Sequence, residues 1–171
     1  MSNKRQIVNL PGLVHFVTFS TYQRRQFLSP ERCRYIVMEA LQTCLETHHA
    51  ACHGFVIMPN HVHALVTVDR HSTISAFIQP WKKTSSYRIK RFYAQELTKY
   101  HDLCPGDCPV WQANSYIHPV DSNDKVNEKL EYMHNNPVQA GLVPFTRDWK
   151  WSSVRFFTEE ESVGVSISPS L

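Results

Sequence analysis

The chain is short of several things, and each shortage removes a class of protein. No apolar run approaches the roughly 20 residues that a membrane-spanning helix needs, so no membrane segment is expected. Met1-Ser2-Asn3-Lys4-Arg5 leads into no continuous apolar stretch, and no secretory signal is read there. Charge of one sign is scarcely in excess, with 18 Lys and Arg against 15 Asp and Glu and a net charge of +3 with neutral histidines. So weak a bias permits nucleic-acid binding without arguing for it, and local clusters must decide. Cysteines number five (33, 44, 52, 104 and 108), an odd count without an export signal, so reduced thiols in a cytoplasmic setting are expected. No internal repeat or low-complexity linker divides the 171 residues, which are read as one domain over 1–158 and a polar, disordered tail over 159–171.

What is present is the profile of a folded domain, 12% aromatic and 19% charged. Val14 to Phe19 clusters β-branched and aromatic residues and predicts a strand. Ser29-Pro30-Glu31 predicts a helix start with Pro at the first helical position. That helix runs to about His49, with Ile36, Val37, Ala40, Leu41 and Leu45 at helical spacing. Phe55-Val56-Ile57 reads as a second strand, Pro59-Asn60 as a tight turn, and the apolar run from His61 to Val68 as a third strand. A helix opening at Ser72 or Thr73 buries Ile74, Phe77, Ile78 and Trp81, and Pro80 should kink or interrupt it. Tyr100 to Pro109 reads as loop and Ser115 to Val120 as a fourth strand. The helix from Ser122 or Asn123 to about Asn135 is closed by Pro137 and Gly141. This order, βαββαβ, predicts an α+β, ferredoxin-like fold. Its first and third strands are the central pair of an antiparallel sheet. Two long helices cover one face, and the other face is open to a substrate or to the last helix.

The stretch Met58-Pro59-Asn60-His61-Val62-His63 carries the chemistry. Side chains alternate along a strand, so His61 and His63 share a face with Val62 opposite. Two such imidazoles can hold one metal ion and leave positions open to water or substrate. Alone they are equally well read as two satisfied surface histidines. A histidine-triad phosphoesterase would need a third alternating histidine, and position 65 is leucine. The helix from Asn123 shifts the balance. Val126, Leu130 and Met133 form its buried stripe, Tyr132 lies off that stripe, and Asn136 follows one turn later on the same face. A phenol and a carboxamide placed so can serve beside a metal as nucleophile and as ligand.

Nucleic-acid contacts have local candidates. Trp81-Lys82-Lys83 through Tyr87-Arg88-Ile89-Lys90-Arg91-Phe92-Tyr93 interleaves cations with aromatics, which suits phosphates and unpaired bases, although a solvated basic helix face reads as well. Arg24 and Arg25 after the first strand can add phosphate contacts or form an ordinary surface turn. His101, Cys104 and Cys108 invite a zinc reading, but no second close pair accompanies them and an ordinary loop is favoured. Trp149 and Trp151 read as packing anchors.

Four stretches in this order resemble a known family: Met58-Pro-Asn-His-Val-His63, Val110-Trp-Gln112, Lys129-Leu-Glu-Tyr132-Met-His-Asn-Asn-Pro137 with its continuation to Gly141, and Trp149-Lys-Trp151-Ser-Ser153. They resemble the HUH single-tyrosine transposases of small insertion sequences, most of all the REP-associated tyrosine transposase branch, over about residues 12 to 155. The resemblance implies His61 and His63 as a metal-binding pair, Asn136 as a polar third ligand and Tyr132 as the nucleophile. It implies Mg²⁺ or Mn²⁺, a 5′-phosphotyrosine intermediate, and single-stranded DNA carrying a hairpin as substrate. Monomer and homodimer both occur among such proteins, and both stay open here. The Lys82 to Arg91 helix is expected to help hold DNA. The family often places an acidic residue or histidine after the Trp-Gln pair, so His118 and Asp121 are open as further site residues. A domesticated endonuclease of repeat hairpins and an inactive DNA-binding regulator are the alternatives.

Overall fold

A computed structural model describes residues 12–96 and 108–169. Strands β1 (Val14–Ser20), β2 (Ala51–Met58), β3 (His61–Thr67) and β4 (Tyr116–Val120) form one antiparallel sheet in the order β2-β3-β1-β4. Helices α1 (Glu31–Thr47), α2 (Ile74–Glu96), α3 (Asn123–Gln139) and the short α4 (Val154–Glu159) complete it. This is the expected α+β, βαββαβ arrangement, with β1 and β3 central.

Alternation along β1 sorts the layers. Phe19 packs edge-on against Trp81 of α2, ring centroids 4.8 Å apart, whereas Phe16 meets Tyr132 of α3 at 6.3 Å. Residues three apart on a strand point to opposite faces. So α2, with α1 packed on it, covers one face and α3 crosses the other. Trp81 is fully buried and donates its indole N–H to the Val37 carbonyl at 2.9 Å, which locks α2 onto α1. On the other face Gly54 of β2 permits the close approach of α3. A Cβ there would run into Leu130 Cδ2 and lie 3.4 Å from Met133 Cε. The predicted stripe Val126, Leu130, Met133 is the face that packs on the sheet, and Leu130 is only partly buried.

Several expectations are corrected. Pro30 is the N-cap of α1 and not its first helical residue. Pro80 does not interrupt α2, which stays helical from Ile74 to Glu96 because Phe77, Ile78 and Trp81 are buried on both sides of the proline. Nor does Pro137 close α3. The helix runs to Gln139 and ends in a Schellman motif: Leu142 N donates to the Pro137 carbonyl and Gly141 N to that of Val138, both at 2.9 Å, with Gly141 at φ +69. The tail read as disordered is ordered over 160–169. Val163 and Val165 are buried, and Ser168 N donates to the Cys52 carbonyl at 2.8 Å. Partly buried Ile167 bridges to Cys52 and seats the segment against β2.

The outer edge of β2 is also covered by 151–153, where Ile57 N donates to Trp151 O and Ser153 N to Phe55 O. Trp149 and Trp151 are buried there as the expected anchors, and Arg34 lies over the Trp151 ring at 3.7 Å. Cys33, Cys44 and Cys52 are free, buried thiols. Cys108 is disulfide-bonded, which corrects the all-reduced expectation: compartment arguments say nothing of which thiols lie close enough to pair. His101 and Cys104, the rest of the zinc question, lie outside the described residues. Among the described residues no helix is long and apolar enough to cross a membrane.

Candidate active site

The register of the central strands builds the site. β1 and β3 pair with Thr18 opposite His63 and Ser20 opposite His61, so the two histidines rise from the middle of the sheet toward α3. Their ring centroids are 4.8 Å apart. Each ring is held from behind through Nδ1, His61 by Asn60 Oδ1 at 2.6 Å and His63 by Thr18 Oγ1 at 2.7 Å. Phe16 stacks on His63 at 5.3 Å and 16°. Asn60 also donates from Nδ2 to the Arg24 carbonyl at 3.3 Å, tying the turn before β3 to the loop after β1.

In that loop Gln23 and Arg24 both adopt left-handed backbone (φ 52 and 54), uncommon for residues with side chains and costing about 1–3 kcal/mol each. The bend leaves the Arg24 side chain lining the cleft above the histidines. From the other side α3 supplies Tyr132, whose ring is 5.5 Å from that of His63, and Asn136, whose side chain hydrogen-bonds His61. Ser122 caps α3 by accepting from Lys125 N, and Asp124 sits in its first turn, where a negative charge suits the helix dipole. The resulting open cleft of about 490 Å³ is lined by Phe16, Thr18, Arg24, His61, His63, Tyr116, Lys129, Tyr132 and Asn136. One chain therefore brings the histidine strand and the tyrosine helix together without a second copy.

The electrostatics keep both imidazoles neutral. Burial first, then the Arg24 charge, with the Asn136 hydrogen bond opposing, pushes His61 down to about 4. Burial, then His61 and Arg24, pushes His63 down to about 3. Neutral imidazole is the form that binds a cation. His63 Nε2 is fully buried with no hydrogen-bond partner, an unsatisfied state that a bound cation would relieve. Two imidazole nitrogens fixed from behind and a nearby amide fit a divalent ion, the outer-shell partners doing the orienting. Among the described residues no group of three or more His, Cys, Asp or Glu could hold a metal ion, and the polar side chain beside the two imidazoles is the Asn136 amide.

Of the residues expected at the site, His61, His63, Tyr132, Asn136 and Arg24 converge. Tyr132 is 47% exposed and lines the open cleft. Arg25 turns away, with its guanidinium 3.9 Å from Cys108 Sγ and 5.9 Å from the Tyr22 ring. The basic helix does not converge. α2 lies on the opposite face of the sheet, and Lys82 is 7% exposed, its ammonium donating to the carbonyls of Gln112 (2.6 Å) and Ala113 (3.1 Å). Lys82 therefore cannot meet a phosphate, because its charge is spent bracing the segment that leads to β4. Arg88 pairs with Glu39, Lys90 is half-buried, and Lys83 and Arg91 are exposed. His118 is exposed, stacks on Tyr116, and does not line the cleft; Asp121 pairs with Lys125 at 2.7 Å and does not line it either.

Thr18, Asn60, Tyr116 and Lys129 were not singled out from the sequence. Lys129 had a readable signal, since it lies one turn before Tyr132 on the same side of the helix. Thr18 could be placed only once the β1–β3 register was known.

The model of the family described as IS200-like transposase matches residues 12–136. A Haemophilus influenzae protein described as a REP-associated tyrosine transposase is 25% identical over 157 residues, covering 90% of this chain and 85% of its own. Among solved structures, a REP-associated tyrosine transposase bound to a REP hairpin superposes with a TM-score of 0.73 at 18% identity, covering 100% of this chain and 94% of the other. A Deinococcus radiodurans R1 protein described as a transposase superposes with a TM-score of 0.52 at 18% identity, covering 79% of this chain and 96% of that one.

Proposed function

The chain belongs to the IS200-like transposase family, and from that premise we propose that it nicks and joins single-stranded DNA, with a divalent metal ion, through a 5′-phosphotyrosine formed on Tyr132. The observation that carries the reading is the approach of Tyr132 to His63, 5.5 Å between rings, with Asn136 hydrogen-bonded to His61 one helical turn away. Nucleophile and metal-ligand candidates thus share one cleft.

In the proposed step the Tyr132 oxygen attacks the scissile phosphorus and gives its proton to solvent in the open cleft. The bond from phosphorus to the 3′-oxygen breaks, and that oxygen takes a proton from solvent and leaves as a 3′-hydroxyl. The phosphodiester is replaced by a phosphotyrosyl ester of similar energy, so another 3′-hydroxyl can reverse the step and join new ends without a nucleotide cofactor. His61, His63 and Asn136 would hold the ion, Mg²⁺ or Mn²⁺, which when bound supplies Lewis-acid polarisation of the phosphate. Arg24 and Lys129 bring positive charge to the same cleft and neutralise the strand entering it. Thr18 and Asn60 engage Nδ1 of each imidazole, which leaves Nε2 as the nitrogen that would bind the ion. Hairpin-forming DNA is the proposed substrate, because a solved relative of the same fold is bound to one. The exposed Lys83 and Arg91 are proposed as contacts for DNA beyond the cleft, on the far face of the sheet.

The test is a pair of readouts on one variant. His61→Ala should abolish Mn²⁺-dependent cleavage of labelled hairpin DNA while its affinity for that DNA stays within about twofold, because phosphate contacts dominate binding. Equal loss of cleavage and affinity would mean that the histidines serve docking or folding, and the metal reading would fail.

A further inference from the structure

The last turn of α3 borders a second cleft, of about 420 Å³, built from Asn135 and Val138 of the helix and Pro144, Phe145, Thr146 and Arg147 of the segment that follows. The Schellman closure at Gly141 reverses the chain and lays that segment back along α3. A 3₁₀ turn over Thr146–Asp148 holds it, with Asp148 N donating to the Phe145 carbonyl at 3.0 Å. Buried Trp149 pins the exit by donating to the Ile57 carbonyl at 3.1 Å. Phe145 is thus fixed at its backbone, yet its ring is 60% exposed. Arg147 is exposed beside it, its guanidinium carbon 5.4 Å from the ring centroid, and no carboxylate among the described residues pairs with it.

A single exposed phenylalanine is ordinary on a protein surface. Three observations set this one apart. It lines a concave site, it is flanked by an unpaired cation and a carboxamide, and the site adjoins the tyrosine cleft. Asn135 lines one cleft and Asn136 the other, and Asn135 stands only about 4.5 Å along the helix axis from Tyr132. An aromatic face beside a guanidinium suits an unpaired base and its phosphate.

We propose that this second cleft is a base-stacking subsite: an unpaired nucleobase of the strand leaving the tyrosine cleft stacks on Phe145, and an adjacent phosphate pairs with Arg147. The inference rests on the reading that Tyr132 acts on single-stranded DNA, and its test separates the two. The probe is a DNA hairpin with a single-stranded oligothymidine flank, each flank thymidine replaced in turn by 5-iododeoxyuridine, mixed with the full chain in EDTA to prevent cleavage. Irradiation in the near ultraviolet should crosslink one flank position to the peptide that contains Phe145. Phe145→Ala should weaken flank-dependent binding by about 5- to 150-fold. Its thermal midpoint should stay at the native value, because the ring is exposed. Phe145→Trp should bind like the native chain and Phe145→Leu like Phe145→Ala, and Arg147→Gln should lower the slope of log affinity against log salt by about one. Crosslinks mapping elsewhere, or native affinity in Phe145→Ala or Phe145→Leu, would overturn the subsite while leaving the tyrosine chemistry standing. A native chain that binds no hairpin would overturn the DNA reading, and the subsite with it.

Discussion

Lowering the pH is expected to destabilise the folded chain through the same histidines that build the site. His61, His63 and His134 are held neutral by burial, pushed down to about 4, about 3 and about 4. His134 Nε2 lies 2.8 Å from Ser153 Oγ on the strip that edges β2. In the unfolded chain each imidazole returns to an ordinary value near about 6.5. Between about pH 6.5 and about pH 4 the unfolded state therefore binds more protons than the folded one. Stability rises with pH across that window and is lost as pH falls through it. From pH about 7 to about 5 each independent group removes about 2 kcal/mol, at about 1.4 kcal/mol per pH unit below its unfolded value. His61 and His63 titrate as a coupled pair, so the total with His134 lies between about 4 and about 6 kcal/mol. Against a stability of about 5–15 kcal/mol, and a urea slope of about 2 kcal/mol per molar, the urea midpoint should fall by about 2–3 M. Tryptophan fluorescence in EDTA at the two pH values reads this directly. A midpoint that stays put, or rises in acid, would mean that these imidazoles are not buried neutral, and the description of the site would be wrong.

The remaining expectations concern single side chains. Thr18→Val keeps the shape of Thr18 but removes the partner of His63 Nδ1, and should weaken Mn²⁺ binding by about 10- to 100-fold in calorimetry; native affinity would refute its orienting role. Gly54→Ala drives a methyl into Leu130 and should cost about 1–3 kcal/mol in urea unfolding; a neutral result would mean that α3 does not press on β2 there. Lys129→Met should slow single-turnover nicking by about 100-fold with an unchanged melting temperature, and an unchanged rate would remove Lys129 from the cleft's electrostatics.

The parts of this structure that were legible in the sequence are those set by short-range periodicity. His61 and His63 share a strand face because strands alternate, and Tyr132 escapes the Val126–Leu130–Met133 stripe because helices repeat every 3.6 residues. Element order then gave the sheet, with the histidine strand central. What stayed hidden depends on contacts distant in the chain. Lys82 reads as a surface cation in its helix, and only the return of 112–113 past α2 gives its ammonium two carbonyls. Pro137 reads as a stop, but the helix continues two residues past it because the closure falls on Gly141. Val163, Val165 and Ile167 are too few to signal order in a polar tail until β2 offers an edge, to which Ile167 bridges. Thr18 is one of several strand threonines until register puts it opposite His63.

The covalent intermediate on Tyr132 is the central claim, and end-labelled DNA tests it most directly. A hairpin oligonucleotide is labelled on one strand at either its 5′ or its 3′ end, incubated with the full chain and Mn²⁺, denatured, and resolved from free DNA. The account predicts a denaturant-stable adduct that carries the 3′-end label only, since the tyrosine holds the 5′-phosphate of the downstream fragment. Proteolysis should place the DNA on the peptide containing Tyr132, and Tyr132→Phe should form no adduct. An adduct that carries the 5′-end label, or that persists undiminished in Tyr132→Phe, would contradict it.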